Sequence, residues 1–241
     1  MKNQYLLPLL TLFILTACHN APEKNQHQKA QQEEKQQDKK KVNIIRKPLS
    51  IPYEFSYITN LGSVDIFYSQ GDYNIDVEGD SSMLQHLDAD FDSGLLSVSI
   101  KTDRNNGVNL FGSTSNVRMY VSSPVLHCIS VCGSGSFENT STWKGENLRI
   151  GALGTGALKL GRVECETAII ESSNIGCITI DDLQAHEATI YSRSSANINV
   201  NLNVDELTVL NEGKQSITLT GSAKKTLIKN PDDEKLTNNL K

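Results

Sequence analysis

No stretch of this sequence spaces apolar residues by three and four over ten or more positions, as a helical solenoid or bundle requires. Nor does any apolar run reach the roughly 20 residues that carry a helix across a bilayer; the longest, residues 6–15, falls well short. Cationic residues are scarce beyond residue 48. Residues 49–241 hold 14 Lys and Arg against 24 Asp and Glu, although the formal net charge of the whole chain is only -5. An acidic domain repels polyanions, so nucleic acid and strongly anionic polysaccharide are not expected as partners. No glycine-rich segment is followed by a helix that could aim its N-terminus at a phosphate, which argues against a nucleotide cradle.

What is present is a repeat. Gly133-Ser134-Gly135-Ser136-Phe137, Gly154-Thr155-Gly156-Ala157-Leu158, Asn174-Ile175-Gly176-Cys177-Ile178, Ser194-Ser195-Ala196-Asn197-Ile198 and Gly213-Lys214-Gln215-Ser216-Ile217 recur at roughly 20 residues, a solenoid period. Each unit carries three apolar strips. The first is Phe137, Leu158, Ile178, Ile198 and Ile217, seconded two residues on by Leu160, Ile180, Val200 and Leu219. The second is Trp143, Val163, Leu183 and Leu202, and the third pairs Ile129/Val131 with Leu148/Ile150, Ala168/Ile170, Ala188/Ile190 and Leu207/Val209. Strips with a period of two, separated by polar or glycine corners, predict an all-β fold: a single-stranded parallel β-helix whose equivalent residues stack about 4.8 Å apart. The corner glycines are read as supplying positive φ.

The N-terminus reads as an address. Lys2 precedes the apolar run, and Leu15-Thr16-Ala17-Cys18 has the order of a bacterial lipobox, making residues 1–18 a lipoprotein signal peptide and Cys18 the lipid attachment site. The alternative is an ordinary secretory signal with an incidental cysteine. His19 follows in place of an aspartate, so the bacterial outer membrane is the expected location, on its periplasmic or its cell-surface side. Residues 19–48, rich in Gln, Lys and Glu, read as a disordered charged tether, with Lys39-Lys40-Lys41 solvated or touching anionic headgroups. The folded domain is expected over residues 49–222 and a flexible tail over 223–241.

Within the domain, residues 50–79 read as two strands, with Val64, Ile66 and Tyr68 on one face, a turn at Gln70-Gly71-Asp72, then Ile75 and Val77. A helical turn fits residues 82–87. Phe91, a turn at Ser93-Gly94, and Leu96, Val98 and Ile100 follow; residues 104–115 read as a loop; Val117, Met119 and Val121 lead into the repeats. The less regular residues 50–115 are expected to cover the open end of the first coil.

The series Ser63-Val64-Asp65-Ile66, Gln70-Gly71-Asp72, Val77-Glu78-Gly79 and Gly94-Leu95-Leu96, followed by repeated Gly-Ser-Gly strands, resembles the putative auto-transporter adhesin, head GIN domain family. The resemblance covers residues 50–221. It implies a right-handed, pectin-lyase-like β-helix of the kind carried by lipoproteins and secreted proteins of Bacteroidetes-type bacteria, and it brings no catalytic, cofactor or ligand residues with it. This chain departs from the family in the acidic residue that often follows Gly-Ser-Gly, which here is Ser136, Ala157, Cys177 or Asn197.

Four further cysteines, Cys128, Cys132, Cys165 and Cys177, would ordinarily suggest disulfides in an exported protein. Their register argues against it: Cys165 aligns with Ala185, Cys177 with Ala157 and Asn197, and Cys128 and Cys132 on one strand would lie about 13 Å apart. Cys177 is the expected exposed thiol, without a neighbouring cation to give it a redox role. Cys128, Cys132 and His127 do not complete a metal site. The outward residues Glu138, Lys159, Thr179, Asn199 and Thr218, and Arg149, Ile169, Thr189 and Thr208, read as isolated charges in polar columns, and Asp181-Asp182 as a corner. Sugar-cleaving β-helices need clustered carboxylates with a base, so the sequence is read as non-enzymatic, with no cofactor. The expected role is adhesion or binding, with a glycan or protein ligand; the alternatives are a polysaccharide-processing lyase or hydrolase and a passive structural envelope protein.

Overall fold

The structure is a computed structural model and describes residues 43–101, 116–195, 197–214, 216–229 and 236–241. The expected signal peptide, Cys18, most of the tether, the loop at 104–115 and Ala196 lie outside the described residues.

From Cys128 onward the chain winds as a parallel β-solenoid with coils of about 20 residues and about five turns. Strands β8 (Cys128–Val131), β9 (Ser136–Asn139) and β10 (Trp143–Ala152) begin it, and β11 (Ala157–Asn174), β12 (Cys177–Ser194), β13 (Ile198–Asn211) and β14 (Ile217–Lys229) continue it. Each long strand bends round a corner and pairs in parallel with the next: Trp143 with Val163, Val163 with Leu183, Leu183 with Leu202. Phe137, Leu158, Ile178, Ile198 and Ile217, the first of the expected strips, form another such column. All of these side chains are buried, because every inward position of one coil rests on the same position of the next.

The third strip departs from the expected pairing in one coil. Ile129 stacks on Ile150 and Val131 on Ala152, two residues off the reading that set Val131 with Ile150. The column through Ala152 continues as Ser172, Ser192 and Asn211, all buried, so this inner corner turns from apolar to polar along the stack. Its polar members are satisfied locally; Asn211, for instance, accepts from the Gly213 N–H at 3.0 Å.

The N-terminal part is organised differently. Strands β2 (Tyr57–Asn60) and β3 (Asp65–Gln70) lie in parallel on β8 and β9, so they are a coil of the solenoid and not a cover over it. On their far side stack β6 (Leu95–Ile100) and β7 (Arg118–Ser123), also parallel. The chain thus lays its second coil outside its first, then passes back through residues 124–127 to start the regular stack. Only the outermost layer is a cap. Strands β1 (Ile44–Pro48), β4 (Asn74–Asp80) and β5 (Leu87–Asp92) close it with antiparallel pairings, β5 on β6 and β1 on β4 on β7. Helix α1 (Ser81–Leu84) is the expected helical turn, capped by Asp80, whose carboxylate accepts from the Ser82 N–H. The β5–β6 turn places Ser93 and Gly94 at φ 50° and 83°, the two left-handed positions that a tight hairpin requires.

The outer boundaries differ from those expected. Strand β1 forms within the stretch assigned to the tether, where Ile44 to Pro48 find an open partner in β4. At the other end, β14 runs through Lys229 and β15 (Leu236–Leu240) pairs with it, inside the expected tail. Ladder hydrogen bonds extend the sheet there without a strong apolar pattern.

The repeat glycines also act otherwise than expected. Among the described glycines, only Gly94 and Gly221 have positive φ. At Gly133, Gly135, Gly154 and Gly156 the cause is crowding between coils: a Cβ on Gly156 would overlap the Gly135 carbonyl, and one on Gly135 the Val64 carbonyl.

Candidate functional site

Because strand residues alternate, the outward side chains form columns as regular as the inward ones. The columns differ in how far their polar groups are already engaged with one another.

The most heavily charged face follows Trp143 and its equivalents. Gly145, Cys165, Ala185 and Val204 stack as a floor of small side chains. Above it, Lys144, Glu164, Gln184 and Asn203 form one wall of an open groove of about 520 Å³, with Glu166 and Asp205 on the other. The first wall is a continuous axial chain of contacts. Lys144 pairs with Glu164 at 2.7 Å, Glu164 with Arg162 at 2.6 Å, and Arg162 with Asp182 at 2.5 Å. Gln184 donates to Asp182 at 2.5 Å, Asn203 to Gln184 at 3.0 Å, and the Ser222 hydroxyl to Asn203 at 2.7 Å. On the opposite side His186 and Lys224 both meet Asp205, at 2.7 and 2.5 Å.

These contacts set the local electrostatics. Hydrogen bonds from Lys144, then Arg162, hold the Glu164 carboxyl below the usual range, and Lys224, then His186, do the same for Asp205. Lys225 lowers Glu206 and is itself raised by it, and Glu164, then Asp182, raise the Arg162 guanidinium. Charges on this face are therefore not isolated, and Asp182 is an ion-pair partner as well as a corner residue. The missed signal was the repeat itself, applied to polar positions: Lys144 to Glu164 and Arg162 to Asp182 are each one coil apart.

A second face carries Tyr57, Cys128, Arg149 and Ile169 in one column, joined by Thr189 and Thr208. Tyr57, His127, Asn147, Leu148, Arg149 and Ile169 help line another groove of about 520 Å³. Tyr57 is 45% exposed, and its ring tilts 50° against the His127 imidazole, with centroids 6.0 Å apart. Arg149 has Glu171 at 3.7 Å, outside hydrogen-bond reach. A third, corner groove of about 470 Å³ includes Leu153, Tyr191 and the Arg193–Glu212 ion pair.

The column Glu138, Lys159, Thr179, Asn199 and Thr218 is in the expected register, extended at one end by Phe67 and Tyr120. Those two rings stack at 5.4 Å, and the Arg46 guanidinium lies 4.3 Å over Tyr120. Arg46 also donates to Asp76 of the neighbouring capping strand, so this side chain links β1 to β4 and, through Tyr120, to the coil below.

Cys128, Cys132, Cys165 and Cys177 are free. Cys177 is exposed as expected, and so is Cys132. Burial pushes the Cys165 thiol up to about 11 and also raises Cys128 and Cys132, which disfavours the thiolate form of each. Among the described residues, no three His, Cys, Asp or Glu side chains converge to hold a metal ion.

Comparison with known proteins agrees with this architecture. No curated protein matches the chain. Among solved structures, a putative adhesin from Bacteroides fragilis superposes with a TM-score of 0.60 at 17% identity, covering 77% of this chain and 92% of that one. A putative adhesin from Parabacteroides distasonis gives 0.59 at 14% identity, covering 78% of each chain. Both likenesses are of fold. Residues 54–181 match the family model described as "Putative auto-transporter adhesin, head GIN domain", which spans the crossed N-terminal coils and the first regular ones, and the chain belongs to that family.

Proposed function

We propose that this chain is a non-enzymatic adhesion or binding module of the bacterial outer membrane. Its fold is read as a right-handed, pectin-lyase-like β-helix, held off the membrane by the tether and anchored through lipid on Cys18. Its ligand is a glycan or a protein surface, and nucleic acid is not a partner. The observation that carries this reading is the set of outward polar columns kept in register on a stiff stack. They repeat hydrogen-bonding groups at about 4.8 Å, as suits a surface that holds an extended or repetitive ligand. Sugar cleavage calls for carboxylates and a base brought together on one face. Here the principal carboxylates, Glu164, Asp182 and Asp205, are engaged with cations along the stack.

The test is a glycan panel presented to the full chain. Retention without turnover supports a binding module. New reducing ends or unsaturated products would establish the alternative, a polysaccharide-processing enzyme, and a blank in both assays would leave a passive envelope component. For the anchor, the expected outcome is that Cys18→Ser moves the protein from the membrane to the soluble fraction. Protease shaving of intact cells then decides the side, since release of the domain places its ligand outside the cell.

A further inference from the structure

We infer that the groove beside Tyr57, His127 and Arg149 binds a carboxylated sugar, with Arg149 receiving the carboxylate. The inference rests on the binding-module reading and adds a site and a ligand class to it. The grounds are a contrast between the two larger grooves. Around Glu164 most polar side chains are already bonded to one another within a coil or across to the next, so that face has few hydrogen bonds left for a ligand. Around Arg149 the donors are unspent. Among the described residues, Glu171 at 3.7 Å is the one ion-pair partner of Arg149, and the Asn147 amide and Thr167 hydroxyl make no side-chain hydrogen bond to another residue. In register Asn147 lies beside Thr167 and Arg149 beside Ile169, so these donors sit on adjacent coils around an apolar patch.

A planar guanidinium matches a carboxylate through two parallel hydrogen bonds. The half-exposed Tyr57 ring and Ile169 offer flat apolar surface to the C–H face of a pyranose, while Asn147 and Thr167 can bond its hydroxyl rim. A peptide is the poorer fit, since peptides commonly dock by adding a strand to an open edge. Strands β2 and β8 are paired on both sides here, and so is β10 from Arg149 to Ala152, so the backbone beside Tyr57 and Arg149 offers no free edge. The acidic domain disfavours a densely charged polymer. Sugars with isolated carboxylates, such as a chain-terminal acidic residue, therefore suit the groove best.

The test is calorimetric titration of the full chain with trisaccharides of one backbone ending in glucuronate, N-acetylneuraminate or glucose, alongside an Asp-rich peptide. At least one acidic sugar should bind about tenfold or more tightly than the glucose-ended form, the two acidic ends distinguishing a uronate from a sialate. Arg149→Gln should abolish that preference. Glu171→Gln, which removes the carboxylate competing for Arg149, should tighten binding severalfold; both side chains are partly exposed, so neither change should unfold the protein. Equal affinity for acidic and neutral sugars, preference for the peptide, no binding of either acidic sugar, or indifference to Arg149→Gln would overturn the inference. If the glycan panel still shows retention in that case, the binding module stands and its site lies elsewhere; turnover on the panel would instead overturn the module itself.

Discussion

The regular stack from Cys128 to Lys229 and the crossed coils with their cap, from Ile44 to Ser123, are both built of paired strands but close their cores by different means. In the regular stack each coil meets its sequence neighbour, so one apolar residue per position suffices, and Val163, Leu183 and Leu202 follow one another with little change of size. The crossed coils meet partners far away in sequence, and their interior is closed by large aromatics. Tyr68, Phe137 and Trp143 pack with centroids 6.0 to 6.2 Å apart where the two regions join. Their polar ends are satisfied, with Trp143 donating to the Leu126 carbonyl at 2.9 Å and Tyr68 to the Ser123 carbonyl at 3.2 Å. The difference teaches that the repeat propagates the fold while the aromatic junction fixes where it begins.

Replacing the junction should therefore do the most damage. Trp143→Ala is expected to cost about 3–5 kcal/mol, read as a fall in the urea midpoint, and to uncouple the two regions so that their unfolding transitions separate. A single unshifted transition would break the comparison. Next in size is Gly156→Ala, at about 1–3 kcal/mol, since the new methyl group meets the Gly135 backbone; Gly71→Ala, with open space around it, should stay within about 0.5 kcal/mol. Equal effects would show that coil crowding is not what selects glycine in the repeats.

Asn60→Ala probes the crossed coils by their hydrogen bonds. The buried Asn60 amide donates to the Val64 carbonyl at 2.6 Å and accepts from the Gly62 N–H at 3.2 Å. Its loss should cost about 1–3 kcal/mol in thermal or urea unfolding. Asn60→Asp keeps the acceptor for Gly62 but sets a carboxylate oxygen against the Val64 carbonyl, so it should cost at least as much as Asn60→Ala; a smaller loss would show that the donated bond is not what holds this corner.

The smallest effect is expected on the charged wall. Glu164, Asp205 and Glu206 have carboxyls held below their ordinary values, so whatever stability they contribute is complete above the unfolded-state value and is lost as pH falls through the lower folded one. These groups are solvent-exposed, and the contribution is correspondingly slight. Arg162→Gln should leave neutral-pH stability nearly unchanged while flattening the acid limb of the stability profile. An unaltered acid limb would mean that the axial ion pairs do not support the stack.

The regular stack was legible because its contacts are one period apart, so the Leu158–Ile178–Ile198 column could be read along the line of sequence. The crossed coils were not, since nothing local says that Met119 pairs with Ile66 while Phe137 takes its other side. Strand β1 lacked an alternating pattern because Ile44 to Pro48 are all exposed and are held by backbone pairing. The same limit applied to the surface. Columns such as Lys159 to Thr218 were visible, and Arg162 and Asp182 share one such column, but the Glu164–Arg162 contact joins neighbouring columns, and the groove at Arg149 draws Tyr57 from a coil about 90 residues away in sequence.

The most direct test of the coil order is a pair of spin-label distances from Thr218→Cys, one to Phe67→Cys and one to Tyr120→Cys, in a background without the native cysteines. All three positions lie in a single outward column, five coils apart for residue 67 and six for residue 120. At about 4.8 Å per coil the account predicts about 24 Å for the first pair and about 29 Å for the second. A shorter distance to residue 120 than to residue 67, as stacking in sequence order would give, would contradict it.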